Sequence, residues 1–469
     1  MLHTMERTDA TLLLAAAGLV PPVGTEVTIA GADPVLASRH HVGEAAAAAA
    51  GLAAAWAARF GEGRGLPPQS VEVDVAPAAA GLLGFALQSL DGKAAFERVF
   101  SPVTAMFRTS DDRLIHLHGG FDHLAEATCR LLQTAPEPGS LATAVASWEA
   151  QQLEDALADA GLCGAIVRSP EEWGRHPQGR AVAALPAVRL TRIGDTAPIE
   201  PGSAARPLSG IRVLDLTRVL AGPTAGRTLA AHGADVLRLD SPTLPSIEVF
   251  DLDTGRGKRS AWADLDDPLQ AEHVAGLVAG ADVVVQSYRP GSLDARGLSP
   301  AAIAERRPGA VVVRLSCYGP EGPWAARRGW EQLAQSAVGL AWAEEPGEPR
   351  LVPAAATDYT TGYLAAAGAA EALCRRAEVG GSWLVEVSLA QTAAWLGRLG
   401  ADLDPGRASG FGELRRQRVP TAWGTLTHLA PIERLSVTPP RWDTPPVPRG
   451  ASRPEWLPVP GFEPDRSAS

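Results

Sequence analysis

Leu208-Ser-Gly-Ile-Arg-Val-Leu-Asp-Leu-Thr-Arg-Val-Leu-Ala-Gly-Pro-Thr-Ala-Gly226 reads as a short apolar strand, a polar turn and the opening of a helix. Ile211 to Leu216 is rich in β-branched and leucine residues, and Pro223 suits the first turn of a helix, where its missing N–H would have no partner anyway. Three runs of the same kind follow at Asp235 to Leu239, Asp282 to Gln286 and Val311 to Ser316, with helix-like segments or turns between them. Such alternation predicts a parallel sheet with crossover helices. These sheets bind ligands at the carboxyl ends of their strands, so chemistry is expected in the loops after Leu216, Leu239, Gln286 and Ser316. The first turn lacks a Gly-x-Gly-x-x-Gly fingerprint, and Pro223 removes an N–H that a pyrophosphate would use. Both points argue against a nicotinamide or flavin dinucleotide.

The chain has 469 residues, enough for two to four domains at roughly 100–200 residues each. Its 42 Lys plus Arg against 53 Asp plus Glu leave a net charge of −11. Only Lys93 and Lys258 are lysines, and thinly spread arginines outnumbered by carboxylates exclude a nucleic-acid footprint. Cys129, Cys163, Cys317 and Cys374 form no CxxC pair, so neither a zinc site nor a disulfide framework is expected, and a reducing cytoplasm fits. No basic segment precedes the apolar stretch from Thr11 to Val20, which runs into Pro21-Pro22, so no signal peptide is read there. The longest apolar run, Ala45 to Ala58, falls short of the roughly 20 residues of a membrane span and predicts a packed helix.

An internal repeat is visible. The alanine-rich stretch from His40 to Gly51, then Arg59 and Val71-Glu-Val-Asp-Val75, parallels Thr361 to Gly368, Arg375-Arg376 and Val385-Glu-Val-Ser-Leu389. The copies differ four residues before their aligned glycines, where Asp358 precedes Gly362 but Arg39 precedes Gly43. Between the copies, Met106 to His118 predicts a hairpin turning at Asp111-Asp112, followed by helical stretches at Phe121 to Leu132 and Leu141 to Ala160. Residues 196–207 form a linker by composition. The nine prolines between Pro439 and Pro464 predict an extended strap or disorder.

These motifs, in this order, resemble the family III CoA-transferases, the CaiB/BaiF group that includes formyl-CoA and carnitine CoA-transferases and the 2-methylacyl-CoA racemases. The resemblance is carried by Leu208 to Pro223, Leu229 to Val236, Gly257-Lys-Arg-Ser260, Asp264-Leu265, Ala281 to Val285, Arg289-Pro-Gly291, Ser316 to Pro323, Asp358 and Val385 to Leu389. It implies an α/β fold, a Rossmann-like parallel-sheet large domain with a smaller α+β domain. Residues 35–200 resemble the later two-thirds of a member and 206–395 the first half, as in a circularly rearranged or partly duplicated relative. The expected divisions are 1–90, a degenerate partial repeat of the large domain, and 91–195, the small domain and return segment. They continue with a linker at 196–207, the CoA-binding and catalytic large domain at 208–400, and a Pro-rich C-terminal tail at 401–469.

The resemblance implies movement of CoA from an acyl-CoA to an acceptor carboxylic acid, with Asp358 as nucleophile. In the family the matching aspartate forms a mixed anhydride and then an aspartyl-CoA thioester. A carboxylate suits this role because it is ionised at neutral pH. Thr360 and Thr361 are expected to cap the following helix and so place Asp358 beside an N-terminus, where N–H donors face an oxyanion. The phosphates of CoA require cations and free N–H groups. Lys258, Arg259 and Arg289 are the cations expected there, and Gly222, Pro223, Arg238, Tyr318 and Gly319 are further expected contacts.

No metal and no tightly bound cofactor are expected, CoA and acyl-CoA being substrates. The expected partners are acyl-CoA, small carboxylic acids and a second copy of the chain, with no nucleic acid and no membrane. Two other readings stay open. One is a non-catalytic acyl-CoA-binding relative, since Gly119-Gly120 is the nearest counterpart of the family's glycine-rich loop and Leu220 replaces a polar residue. The other is a 2-methylacyl-CoA racemase, which needs a histidine where Trp330 stands. Tryptophan exchanges no proton with carbon, and His232 is expected to be structural.

Overall fold

The computed structural model describes residues 7–8, 10–97, 101–343 and 348–458. The N-terminal copy of the repeat is a partial α/β unit. Strands β1 (Val27–Ala30) and β2 (Val71–Asp74) pair in parallel, with Ile29 opposite Val73. Helix α1 (Val42–Glu62) crosses between them, and its alanines let it be buried on nearly every side. The short helix α2 (Val75–Gly81) follows.

Next comes a small antiparallel sheet. Strands β3 (Ala105–Arg108) and β4 (Leu114–Leu117) form the expected hairpin, and β5 (Gly164–Ile166) pairs with β4. Three helices accompany it, α3 (Asp122–Leu132), α4 (Pro138–Val145) and α5 (Ala150–Asp159). The stretch from Leu141 to Ala160 is thus two helices rather than one. Asp111, at the hairpin turn, accepts the Ala150 N–H at 3.0 Å and starts α5 afresh.

The large sheet has seven strands. Strand β6 (Arg189–Gly194) is its antiparallel edge. The others are parallel: β7 (Arg212–Leu216), β8 (Asp235–Asp240), β9 (Lys258–Trp262), β10 (Val283–Gln286), β11 (Val311–Ser316) and β12 (Ser382–Ser388). Their spatial order is β9-β8-β7-β10-β11-β12-β6. The four apolar runs read from the sequence are all strands of this sheet, and the α/β fold class holds. Strand order reverses between β7 and β10, so a crevice for ligands opens at their carboxyl ends. The helices that flank the sheet or line this end of it include α6 (Ala221–Ala231), α7 (Glu248–Thr254), α8 (Pro268–Ala279), α9 (Glu331–Val338), α10 (Ala356–Val379) and α11 (Leu389–Leu399).

The alanine-rich helices of the two copies, α1 and α10, pack against each other at the centre. One apolar cluster runs through both. Each lies close on its own sheet because of a glycine. A Cβ on Gly51 would stand 2.8 Å from Val27, and one on Gly368 would stand 2.5 Å from Val385. No helix among the described residues is long and apolar enough to cross a membrane.

The C-terminal region is more than a proline-rich tail. Strands β13 (Arg416–Thr421) and β14 (Gly424–Leu429) form a hairpin, and β15 (Glu433–Leu435) pairs with β2 of the first copy. Alternate residues of β13 are exposed, the period-2 signature of a half-covered strand. Residues 439–458 then run as a strap along β9. The Gly257 N–H donates to Thr444 O at 2.9 Å, and the Ser452 N–H to Ser260 O at 2.7 Å. Extended chain thereby covers what would be an open sheet edge. Residues 459–464 of the proline-rich stretch lie outside the described residues.

A buried ionic cluster joins these parts. Asp253, in α7, accepts from Arg227 at 2.7 Å, from Arg256, and from the Tyr359 hydroxyl at 2.7 Å. The same hydroxyl accepts the Phe85 N–H at 3.1 Å. Burial opposes the Asp253 charge, but the two guanidiniums outweigh it and hold its pKa below the usual carboxylate value. Replacing Asp253 by Ala leaves two buried guanidiniums without their anion. Urea denaturation is expected to read a loss of roughly 3–5 kcal/mol. A loss under about 1 kcal/mol, the range of an exposed pair, would deny the cluster its structural weight.

Candidate active site

Asp358 is the third residue of α10 and is half-buried. Gly362, one turn on, shares its face of the helix. A Cβ on Gly362 would stand 2.6 Å from the Ala221 carbonyl oxygen and from Thr224, so the bare glycine lets α10 meet the first turn of α6. This brings the Asp358 end of α10 to the turn 217–222, at the point where strand order reverses. Val219 in that turn has a φ of 71°, a conformation that β-branched residues rarely hold. The Arg218 N–H donates to Ser287 Oγ at 3.3 Å and so links the loops after β7 and β10. Gly222 has a local cause, since a Cβ there would meet the Thr217 side chain at 2.5 Å.

Glu331, absent from the residues singled out in the sequence, completes the site. It is buried at the start of α9 and accepts from Gln335 Nε2 at 2.6 Å, and from the Thr357 N–H and hydroxyl at 3.2 Å each. Glu331 thus caps α10 from a neighbouring helix. Thr360 and Thr361 do not cap it, because α10 already starts at Ala356 and both lie buried within it. Burial and then the Glu331 charge push the Asp358 carboxyl well above its usual range. Burial raises Glu331 as well, against the donors of Gln335 and Thr357. Two desolvated carboxylates side by side make a basic pair that holds a proton more tightly than either group would alone. The available sequence signal was position: Glu331 directly follows Trp330, in a segment read only for a histidine.

Trp330 stacks on His118, with ring centroids 4.3 Å apart, and tilts against Phe121 at 5.4 Å. A Cβ on Gly120 would stand 2.8 Å from the indole, so the Gly119-Gly120 pair abuts the segment that carries Glu331. Burial lowers the His118 pKa to about 3, which leaves the ring neutral. Cys317 follows β11 and donates to the Trp330 carbonyl at 3.7 Å. Burial and the Asp358 charge raise its pKa, so it is a thiol and a poor nucleophile. His232 ends α6, remote from Gly222, and burial lowers its pKa to about 3.

The expected CoA contacts divide. Arg238 on β8 is buried, donates to Asp240 at 2.6 Å and Asp251 at 2.7 Å, and has an Nε without a partner. It lines a narrow cleft at the crevice, together with Arg218, Val219 and Arg449. Arg289 is exposed in the loop after β10, near Arg328. Lys258 and Arg259 are engaged elsewhere. The Lys258 ammonium is 2 % exposed and donates to Asp215 and to the Pro223 carbonyl, each at 2.7 Å. Arg259 pairs at 2.9 Å with Asp235, the first residue of β8. Both placements have one cause. Gly257, with a φ of 75°, makes the turn, and Lys258 and Arg259 then open strand β9 at the amino end of the sheet. Tyr318 is buried against Trp324, with centroids 5.0 Å apart, and Gly319 turns the chain at a φ of 105°.

Residues 208–403 match the sequence model of CoA-transferase family III. The chain is similar to an acetyl-coenzyme A transferase, nodX, of Hypoxylon pulicicidum, 32% identical over 327 residues that cover 63% of this chain and 54% of that protein. It is also similar to succinyl-CoA:glutarate CoA-transferase of Homo sapiens, 31% identical over 198 residues, covering 39% and 45%. Among solved structures, a CAIB/BAIF family protein from Brucella suis aligns at 31% identity and a TM-score of 0.38, over 40% of this chain and 55% of that one. The chain spans about half the length of the curated relatives it matches.

Asp358 is expected to titrate above the ordinary carboxylate range, and Glu331→Gln to lower its pKa by removing the neighbouring charge. Carboxyl-carbon NMR on aspartate-labelled protein reads both. An Asp358 titration unmoved by the substitution would uncouple the two groups.

Proposed function

We propose that this member of CoA-transferase family III moves CoA from an acyl-CoA to an acceptor carboxylic acid, with Asp358 as the nucleophile. The reading rests on one observation above all: a half-buried, unusually basic carboxylate, without a protein donor among the described residues, at the strand-order reversal of a parallel sheet. An Asp358 oxygen attacks the thioester carbonyl and CoA leaves as thiolate, giving a mixed anhydride. The thiolate then attacks the aspartyl carbonyl, the donor acid departs, and Asp358 carries CoA as a thioester. An acceptor carboxylate attacks that thioester, CoA leaves again, and the thiolate takes the acyl group from the new anhydride. Asp358 is restored and no oxidant or metal is consumed. Carboxylates suit this exchange because anhydride and thioester are similarly activated.

In this reading Arg238 and Arg289 meet phosphates of CoA through charge-assisted hydrogen bonds. Glu331 positions the first turn of α10 through Thr357 and raises the basicity of Asp358. The reactive anion accumulates as pH rises through the raised Asp358 pKa, so turnover falls on the acid side. Removing the Glu331 charge moves that acid limb to lower pH. The donor and acceptor are acids of unspecified size. The proposed setting is the cytoplasm and the proposed assembly is a homodimer, for which light scattering is expected to give twice the chain mass of 48.8 kDa.

Hydroxylamine, or borohydride for the thioester, is expected to trap a mass change on the peptide containing Asp358 when acyl-CoA is present. Asp358→Asn is expected to abolish CoA exchange while CoA affinity stays within about 1 kcal/mol, as for a group acting mainly in the transition state. Turnover of the Asn variant at the wild-type rate would move the nucleophile elsewhere. CoA binding without any adduct would leave a non-catalytic acyl-CoA binder. With Trp330 in the base position, a 2-methylacyl-CoA in deuterium oxide is expected to show no enzyme-dependent exchange at its 2-carbon. Steady deuterium uptake would favour the racemase.

A further inference from the structure

We propose that Arg449, on the C-terminal strap, binds the phosphate groups of CoA together with Arg218, so that the strap is part of the substrate site. The inference rests on the acyl-CoA reading above. Past β9 the strap delivers Arg449 to the carboxyl end of β8. Its guanidinium lies 4.7 Å from the Trp262 ring centroid. Nε donates to Asp240 at 3.1 Å, and Nη2 to the carbonyls of Ser241 and Leu244 at 3.0 and 3.2 Å. Nη1 meets no acceptor among the described residues and remains available.

Arg218 enters the same cleft from the turn after β7. The Phe121 ring stands 5.2 Å from its guanidinium, the Pro245 carbonyl accepts one N–H, and no carboxylate pairs with it among the described residues. Arg238 lies between, with its two Nη groups spent on Asp240 and Asp251 and its buried Nε unpartnered. Three guanidiniums therefore share two carboxylates around this cleft. One positive charge is uncompensated, in a space at the ligand-binding end of the sheet. Burial disfavours the Arg218 cation, and the charges of Arg449 and Arg238 add to that, against opposing contributions from Tyr288 and Asp240. A phosphate group answers this arrangement, since its oxygens accept several N–H groups from forked guanidiniums and its charge offsets the excess.

Calorimetric titration of the full chain with CoA, dephospho-CoA and an acyl-pantetheine tests the assignment. Arg449→Ala is expected to weaken CoA binding by roughly ten-fold or more, the scale of a hydrogen bond between charged groups, and to leave acyl-pantetheine unchanged. Loss with CoA alone points to the 3′-phosphate, and equal loss with CoA and dephospho-CoA to the diphosphate; either supports the site. Unchanged CoA affinity overturns it, and so does an equal loss for acyl-pantetheine, which would report a damaged fold. Trp456→Ala releases the far anchor of the strap, where the indole N–H donates to Leu277 O at 3.0 Å. It is expected to keep the CoA-to-pantetheine affinity ratio, and a fall matching that of Arg449→Ala would overturn a direct role for Arg449. Trapping at Asp358 is measured separately, so a strap variant with weakened CoA and an intact adduct distinguishes this inference from the transferase reading.

Discussion

The Asp253 carboxylate is the interaction on which the rest of the molecule depends, because separate elements of the chain converge on it and on its partners. Arg227 comes from α6, Arg256 from the turn before β9, and Tyr359 from α10, while Phe85 of the N-terminal copy reaches the same tyrosine hydroxyl. His428 of the hairpin contacts Arg256 at 2.7 Å, and the Trp442 ring of the strap lies 4.3 Å from that guanidinium. Two cations and one anion in an apolar interior are tolerable only when nearly every donor is used, so the cluster specifies one arrangement of these elements and penalises any other. Its consequence for the candidate site is positional. Tyr359 follows Asp358, and anchoring the tyrosine fixes the first turn of the helix that presents the carboxylate.

The two copies of the repeat share one packing plan. Each has a parallel strand pair, an alanine-rich crossover helix and a glycine that seats the helix on its strands. Each helix also begins at a carboxylate from outside it: Asp33 accepts the Glu44 N–H at 2.9 Å in the first copy, and Glu331 accepts the Thr357 N–H in the second. Each copy also has a second carboxylate in the first turn of its helix, Glu44 beside Asp33 and Asp358 beside Glu331. By glycine spacing the residue aligned with Asp358 is Arg39, while the carboxylate pair of the first copy is Asp33 and Glu44, with burial and the Glu44 charge raising Asp33. That copy's contribution to the site is indirect. The Ala355 N–H, at the start of α10, donates to Leu82 O at 3.2 Å, and the Phe85 N–H holds Tyr359.

The strap covers part of the sheet edge at β9, where the Ser452 N–H donates to the Ser260 carbonyl. Strand β9 would otherwise present unpaired backbone groups, and the strap meets some of them while its prolines prevent it from recruiting a further strand. Running along that edge, it is also carried towards the crevice, which is how a residue near the end of the described chain comes to stand beside Arg218.

Local physics made much of the fold legible in the sequence alone. The β-branched runs between Ile211 and Ser316 and the hairpin at Asp111-Asp112 follow from patterns spanning a few residues, the repeat from matching two such patterns, while motif order pointed to the family and the resemblance to Asp358. What the sequence left undecided was set by pairings between distant residues. Gly257-Lys-Arg-Ser260 reads as a turn with free cations, yet strand pairing with β8 draws it into the sheet, and Asp215, 43 residues away, claims the ammonium. Thr360 and Thr361 look like caps until a carboxylate 26 residues before Thr357 takes that place and starts the helix earlier. Arg449 meets Asp240 across 209 residues. Periodicity and propensity act over one or two turns of chain, whereas the partner of a buried charge is chosen by whichever opposite charge the packed core brings within hydrogen-bond reach, and only the tertiary structure decides that.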